Sequence, residues 1–400
     1  MSGEIKTQKF VCPNCGGNLK WNIQKQEFEC ESCRTPGNVD LSGVPIEQHP
    51  IEDYDEAEKA GVSFPEESFA VCQNCGAQVT FSGTQTSTVC PMCGSPQIDA
   101  AKQVAGVPPD GLIPFKVDKA DAQNAFKDWV KSRWFAPNAL KESYQQGKLT
   151  GVYLPFWTYD THSEAHYRGQ GGNFVEETDD EGRVETHTEW FPVSGHVQED
   201  FDDIAICDSS PQAKAVAAGV LPYSTEAESR PYVSAYLSGM DAEHYTDGAE
   251  ACFDRAEEII RSELTARAEE DIRMKGYDTG TVDSLDMRHY DVEYKHLLLP
   301  AWLSAFAYKG KQYTYMINGE TGKVSGERPY SIPKIIAAIV AGLILAFLLY
   351  RVFGGSSKDT SYVLPDNPTT AIVYQMDEGQ YAAGVSGNGA IQTAYWEAAA

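Results

Sequence analysis

Apolar residues change their rhythm several times along the chain, and each change marks an element. Behind Asp118, a residue suited to an N-cap, Ala122, Ala125, Phe126 and Trp129 recur at three- and four-residue intervals and predict a helix over Lys119–Trp134. The same rhythm returns over Ala249–Lys275, with Phe253, Ala256, Ile260, Leu264 and Ala268 on one stripe and Gly276 as the stop signal. Between these helices Val152–Tyr159 and Arg183–Trp190 read as strands, the second entered through Asp179-Asp180-Glu181-Gly182. Lys311–Ile317 and Gly322–Ser325 flank Asn318-Gly319, a hairpin signal. Residues 107–329 are therefore expected to form a mixed α+β domain. Tyr153-Leu-Pro-Phe-Trp157 is echoed by Leu298-Leu-Pro-Ala-Trp302, which points to a domain of duplicated halves.

Beyond this domain the periodicity vanishes into a continuous apolar run. Ile335–Tyr350 holds no charge, and as a helix it spans only about 24 Å. Extended to 332–353 it reaches about 33 Å, enough for a hydrocarbon core of roughly 30 Å. Lys334 and Arg351 would snorkel to the two interfaces, with Tyr330, Tyr350 and Phe353 as anchors. A buried core helix is the alternative, but the run is apolar on every face and follows the end of the globular pattern. The expected contact is with a lipid bilayer. The tail, 354–400, has no sustained periodicity, so disorder is its default, with short strands at Ala371–Gln375 and Ala390–Trp396 as the other option.

Cysteines organise the N-terminal part. Eight of the ten form four Cys-x-x-Cys pairs, and Cys12, Cys15, Cys30 and Cys33 map onto Cys72, Cys75, Cys90 and Cys93 at an offset of 60. The repeat predicts one ribbon at 8–36 and a second at 67–106, separated by an acidic linker, 37–66. The sequence MSGEIKTQKFVC has no apolar stretch resembling a secretory signal, so paired thiolates point to a reducing compartment and metal rather than disulfides.

Four cysteines delivered by two tight turns suit a tetrahedral, closed zinc site that leaves no position for water. Glycines after Cys15, Cys75 and Cys93 let the backbone fold over the metal, while Arg34 takes the remaining position. A unit of about 25 residues cannot fold on its own buried surface, and zinc supplies on the order of 10–16 kcal/mol in such peptides. Two structural zinc ions are expected; iron in a rubredoxin-like site is the runner-up.

Charge then narrows the partners. The chain carries 32 Lys and Arg against 58 Asp and Glu, a net of −26, and so repels phosphate backbones unless a basic patch intervenes. From Phe69 to Ala105 the only basic residue is Lys102. Protein contact or scaffolding is favoured over nucleic-acid binding, which stays as the alternative reading.

CPNCGG with its later Cys-x-x-Cys, CQNCGA, CPMCGS, GLIPFKVDKADAQNAFKDWV, GVYLPFW, LLLPAWL and YTYMINGETGKVSG together resemble a family of bacterial proteins with transcription-factor-IIB-type zinc ribbons. The resemblance covers about 8–353 and implies zinc at the eight cysteines and a single-pass membrane protein, with no reaction. Some relatives in that family carry the label of the primosomal helicase. Here the Gly-Lys pairs at Gly147, Gly310 and Gly322 are followed by Leu, Gln and Val, so no phosphate loop exists to hold ATP.

Weaker constellations remain. His162, Glu164 and His166 would share one strand face and Glu185, His187 and Glu189 another; with His196 nearby they could form a metal site, against the plainer reading of a solvated hairpin. No G-x-S-x-G elbow or H-E-x-x-H helix is present, and Cys207 and Cys252 read as core thiols. No catalytic constellation emerges, and the chain is read as a non-enzyme; an unrecognised hydrolase has only the histidine segment behind it. Lys311, Lys323, Arg328 and Lys334 precede the span, whereas Arg351 and Lys358 follow it, which places the N-terminal bulk in the cytoplasm. The resulting expectation is a single-pass cell-membrane protein, an adaptor for a protein partner.

Overall fold

The computed structural model describes residues 12–38, 41, 44–60, 62–71, 78–82, 102–133, 135, 137, 149–178, 182, 184–237, 240–308, 311–327, 331–353, 371–375, 380–387 and 390–397. Cys72, Cys75, Cys90 and Cys93 lie outside these residues. The chain divides into two units, Met1–Ile332 and Pro333–Ala400.

The first unit begins with β1 (Leu19–Asn22), β2 (Glu27–Cys30) and β3 (Pro36–Gly37), which form a three-stranded sheet. The strand β4 (His49–Pro50) and helix α1 (Tyr54–Ala60) follow, then β5 (Val62–Val71), β6 (Gln78–Ser82), β7 (Lys102–Gly106) and β8 (Gly111–Leu112). Helix α2 (Lys119–Lys131) leads into the long strands β9 (Thr150–Thr178) and β10 (Val184–Cys207). After α3 (Pro211–Ala217), α4 (Thr225–Glu228), β11 (Arg230–Pro231) and β12 (Asp241–Glu243) comes the long helix α5 (Ala249–Met274). The unit closes with β13 (Thr279–Tyr308), β14 (Lys311–Asn318) and β15 (Val324–Gly326). The architecture is mixed α+β, as the periodicity predicted.

Strand β9 is the spine. At 29 residues it runs roughly 95 Å, antiparallel to β10 on one edge and to β13 on the other. Its alternation is strict in the middle: Thr161, Ser163, Ala165 and Tyr167 are buried, while His162, Glu164, His166 and Arg168 face outward. Helix α5 covers the buried face with Cys252, Ala256, Ile260, Leu264, Ala268 and Ile272, all fully buried. Phe253, expected on this stripe, is only half-buried, and Cys252 takes its place. Gly276 (φ +99) ends the helix in the left-handed conformation that favours glycine. Where the helix end nears the sheet, a Cβ on Gly171 would stand 2.4 Å from the Tyr277 ring, so the aromatic lies flat on bare backbone.

The two echoing segments are paired with each other. Leu154 lies opposite Leu299, flanked by Tyr153 opposite Pro300 and Pro155 opposite Leu298. On the outer edge of β13, β8 runs parallel with Gly111 at Leu297, and on the outer edge of β9, β12 runs parallel with Asp241 at Val152. Antiparallel partners then begin at Phe156, opposite Cys207 of β10, and at Ala301, opposite Asn318 of β14. The next residues repeat the match: Asp208 donates its N–H to the Pro155 carbonyl (2.9 Å) and Gly319 to that of Pro300 (2.8 Å).

Several local expectations shift once packing is included. The segment 37–66, read as a linker, is bound to the domain: His49 and Pro50 pair with Tyr294 and Glu293, and Tyr54 is buried edge-on against Trp157 and Tyr294. Asn318 does open the β14–β15 turn, but its buried side chain organises a longer loop, accepting from the N–H groups of Glu320 and Thr321 and donating to Val220 O. β10 and β13 carry bulges at Phe201/Ile204 and Tyr290/Glu293, each with an aspartate at positive φ, Asp203 (51°) and Asp291 (50°).

The second unit contains α6 (Ile332–Phe353), the one described helix long and apolar enough to cross a membrane, with none of its 20-residue apolar stretch buried. In the tail, where composition set disorder as default, β16 (Ala371–Gln375), β17 (Gln380–Gly387) and β18 (Ala390–Glu397) form an antiparallel sheet in that order.

On β13, buried and opposite Trp157 of β9, His296 stacks on the Trp157 ring (4.6 Å) and donates from Nδ1 to Val107 O (3.1 Å). Burial pushes its pKa down to about 4, so the fold holds it neutral. The unfolded chain binds the proton at about 6.5, so this contribution is complete above that value and is lost as pH falls toward 4. The sum over the window is about 3 kcal/mol. Thermal unfolding from pH 7 to 4 is expected to show this loss, and His296→Gln to flatten it; an unchanged slope in the variant would exclude His296 as its source.

Candidate metal centre

Two Cys-x-x-Cys turns and the β1–β2 hairpin build the site. The turns are copies in backbone terms. Gly16 N–H bonds to Cys12 O and Arg34 N–H to Cys30 O, each at 2.9 Å, while Cys12 N–H reaches Gly17 O and Cys30 N–H reaches Thr35 O. Each turn needs one residue at positive φ: Gly16 (70°) serves the first and Arg34 (56°) the second. The sequence reads this second position as a weakened glycine, and the backbone confirms that it is strained.

The hairpin brings the four sulfurs together. Cys12 Sγ lies 3.5 Å from Cys33 Sγ, and Cys15 Sγ 3.5 Å from Cys30 Sγ. All four lie within 4.8 Å of one another, and all are free thiols. Ligands 2.3 Å from a central zinc would form a tetrahedron with edges of about 3.8 Å, so the set fits a four-sulfur metal site. Asn14 N–H points at Cys12 Sγ (3.4 Å), the outer-shell bond such a site uses. The Thr35 hydroxyl and backbone hold the Cys33 thiol down at about 6. Cys15, although the Gly17 N–H lowers it, is pushed up to about 12 by the crowding Cys33 and Cys30 thiols. Four thiolates at this spacing repel one another and call for a cation at their centre.

The hairpin is fixed to the α+β domain, which its spacing gave no sign of. Trp21 Nε1–H donates to Phe115 O (3.2 Å), Gln26 Nε2–H to the same oxygen (3.0 Å), and Gln24 Nε2–H to Asp118, the N-cap of α2. The Trp21 and Phe28 rings pack on Tyr236 at 5.0 and 4.7 Å.

The histidine face assembles differently from the expectation. Three transverse rows cross β10, β9 and β13: Asp200, His162 and Tyr290; Gln198, Glu164 and Arg288; His196, His166 and Asp286. His166 and His196 rings lie 4.7 Å apart, and His162 Nδ1 is 2.5 Å from Asp200 Oδ1. His187 is elsewhere, opposite Val175 and nine positions along β10 from His196, roughly 30 Å away. This face is not among the described groups in which three or more His, Cys, Asp or Glu ligand atoms converge within 4.8 Å.

Two acidic groups that the sequence did not single out do converge: Asp208, Asp247 and Cys252, and Asp160, Asp202 and Asp203. Both contain their own cations. Lys214 Nζ lies 2.5 Å from Asp247 and 3.2 Å from fully buried Asp208, and Lys295 Nζ 2.6 Å from Asp203 and 3.6 Å from Asp160. Burial works against charge on Asp208, yet the Gly248 N–H, Trp157 Nε1–H and Thr246 hydroxyl hold its carboxyl below the usual carboxylate range. Burial pushes the Cys207 and Cys252 thiols up, Cys252 to about 12, which makes both poor nucleophiles.

The chain is similar to the uncharacterized protein YdjG of Bacillus subtilis (strain 168), with 29% identity over 350 residues that cover 86% of this chain and 98% of that protein. No family model matches the chain. No solved structure matches it either.

If Arg34 carries left-handed strain, Arg34→Gly should hold metal more tightly by roughly 0.5–1 kcal/mol, about a two- to fivefold slower loss to a competing chelator. Arg34→Val, with a branched Cβ, should lose metal faster. Equal retention in both variants would remove the strain from the account.

Proposed function

We propose that this chain is a membrane-anchored zinc-ribbon protein that serves as a non-catalytic scaffold or adaptor for a protein partner. The observation that carries the reading is the closed four-cysteine set, Cys12, Cys15, Cys30 and Cys33, on a hairpin packed against the domain. A metal with four sulfur ligands has no open position for substrate, so its work is to hold the hairpin and its docking surface in place. Among the described residues, the converging carboxylates are paired with Lys214, Arg255 and Lys295, as expected of structural ion pairs.

A second zinc is proposed at Cys72, Cys75, Cys90 and Cys93. In support, the spacing repeats at an offset of 60, and β6 begins three residues after Cys75 much as β1 begins four after Cys15. Duplicated halves are proposed for the α+β domain, one comprising β8, α2, β9 and β10 and the other β12, α5, β13 and β14. In support, Leu154 pairs with its counterpart Leu299, and the parallel and antiparallel neighbours of β9 and β13 match in the way a pseudo-two-fold axis between them would require. Helix α6 is proposed to span the cell membrane once, with the first unit in the cytoplasm, on the grounds of its length, its exposed apolar faces and the cations that precede it.

Elemental analysis of the full chain in detergent should find two zinc per chain, falling to one in Cys12→Ser and in Cys72→Ser. The same preparation should bind neither DNA nor RNA at low salt; tight binding that weakens steeply with salt would replace the adaptor reading with a nucleic-acid one. A reporter fused after Ala400 should behave as extracytoplasmic, and cytoplasmic behaviour would reverse the orientation.

A further inference from the structure

The residue before the apolar helix is tied to α2. Ser331 donates its N–H to the carbonyl of Phe135 at 2.8 Å, four residues past the end of α2. Ile332 follows Ser331 by one peptide, so the Phe135 backbone lies within roughly 7 Å of the first residue of α6. A headgroup layer on one side of the hydrocarbon core is about 5–8 Å thick. Phe135 therefore falls at headgroup depth when Ile332 marks the hydrocarbon edge, a condition that rests on the membrane-span reading above.

The chemistry at this corner suits that depth. Phe135 is 42% exposed, an aromatic with no full packing site of its own. Arg133 holds its guanidinium 5.0 Å over the Trp129 ring, and Lys131 is exposed in a surface ion pair with Asp128 that phosphate can readily displace. From Lys127 to Phe135 the sequence holds Lys127, Lys131 and Arg133 against Asp128, in a chain whose net charge is −26. Local positive charge beside aromatic side chains is the composition of a bilayer interface on an anionic leaflet.

We infer that the C-terminal end of α2, through Lys131, Arg133 and Phe135, is a second membrane contact that binds anionic phospholipid headgroups.

The test uses the full chain in vesicles of phosphatidylcholine with or without phosphatidylglycerol. A benzophenone amino acid replaces Phe135 or, as control, Ile259, which is 47% exposed on α5. Lipid adducts are expected at position 135 and not at 259. They should be stronger with phosphatidylglycerol and fall about fivefold in Lys131→Ala. Adducts at 135 no more abundant than at 259, protein adducts in their place, or equal yields in the two lipids, from a chain that resists alkaline extraction, would overturn the inference alone. A chain stripped from vesicles by alkali would instead overturn the membrane span itself, and this contact with it.

Discussion

Strands β9 and β13 lie antiparallel over more than twenty residue pairs, from Thr150–Leu303 at one end to Gly172–Thr279 at the other. Which residues of the long strands face α5 follows from that register. Because side chains alternate with a period of two, a one-residue slip would turn Ala165 and Tyr167 out and His166 and Arg168 in against α5. The α5 stripe of Ala256, Ile260, Leu264 and Ala268 would then face charge. Apolar burial on one face is thus what fixes the pairing of residues more than 100 positions apart in the chain, and bulges with Asp203 and Asp291 at positive φ interrupt both flanking strands on either side of Asp160.

The metal centre borrows its rigidity from this frame. An isolated hairpin of this size depends on its metal for structure, yet here Trp21 and Phe28 also lie on Tyr236, and two side chains share the Phe115 carbonyl. Phe115 itself packs edge-on to Tyr153 and Trp302, beside the central strand pair. A metal held at the four sulfurs and the packing at the sheet would therefore support one another, and loss of either would loosen the same contact.

Electrostatics divides the acidic surface into used and unused parts. Inside the domain, carboxylates such as Asp208 are consumed by structure: this one receives the N–H groups at the start of α5 and two side-chain donors. Breaking such a buried charge leaves unpaired partners, which makes it a structural anchor rather than a reactive group. Outside, where acid is in excess, Lys127, Lys131 and Arg133 with Asp128 are a local exception in the sequence, and they precede Phe135, whose carbonyl accepts from the N–H of Ser331.

The sequence by itself determined whatever depends on neighbours within a turn or two. The α2 and α5 helices, the N-cap at Asp118, the stop at Gly276, the apolar run of α6 and the grouping of Cys12, Cys15, Cys30 and Cys33 all follow from short spacings that local geometry reads directly. Tertiary structure decided what depends on register between distant segments. It set His166 opposite His196 and left His187 far along the strand, drew the acidic segment around Tyr54 into the core, docked the cysteine hairpin, and gathered Asp208 with Asp247. A period-two pattern says which face a residue occupies but not which strand lies beside it. That choice belongs to the packing of α5 across three strands at once.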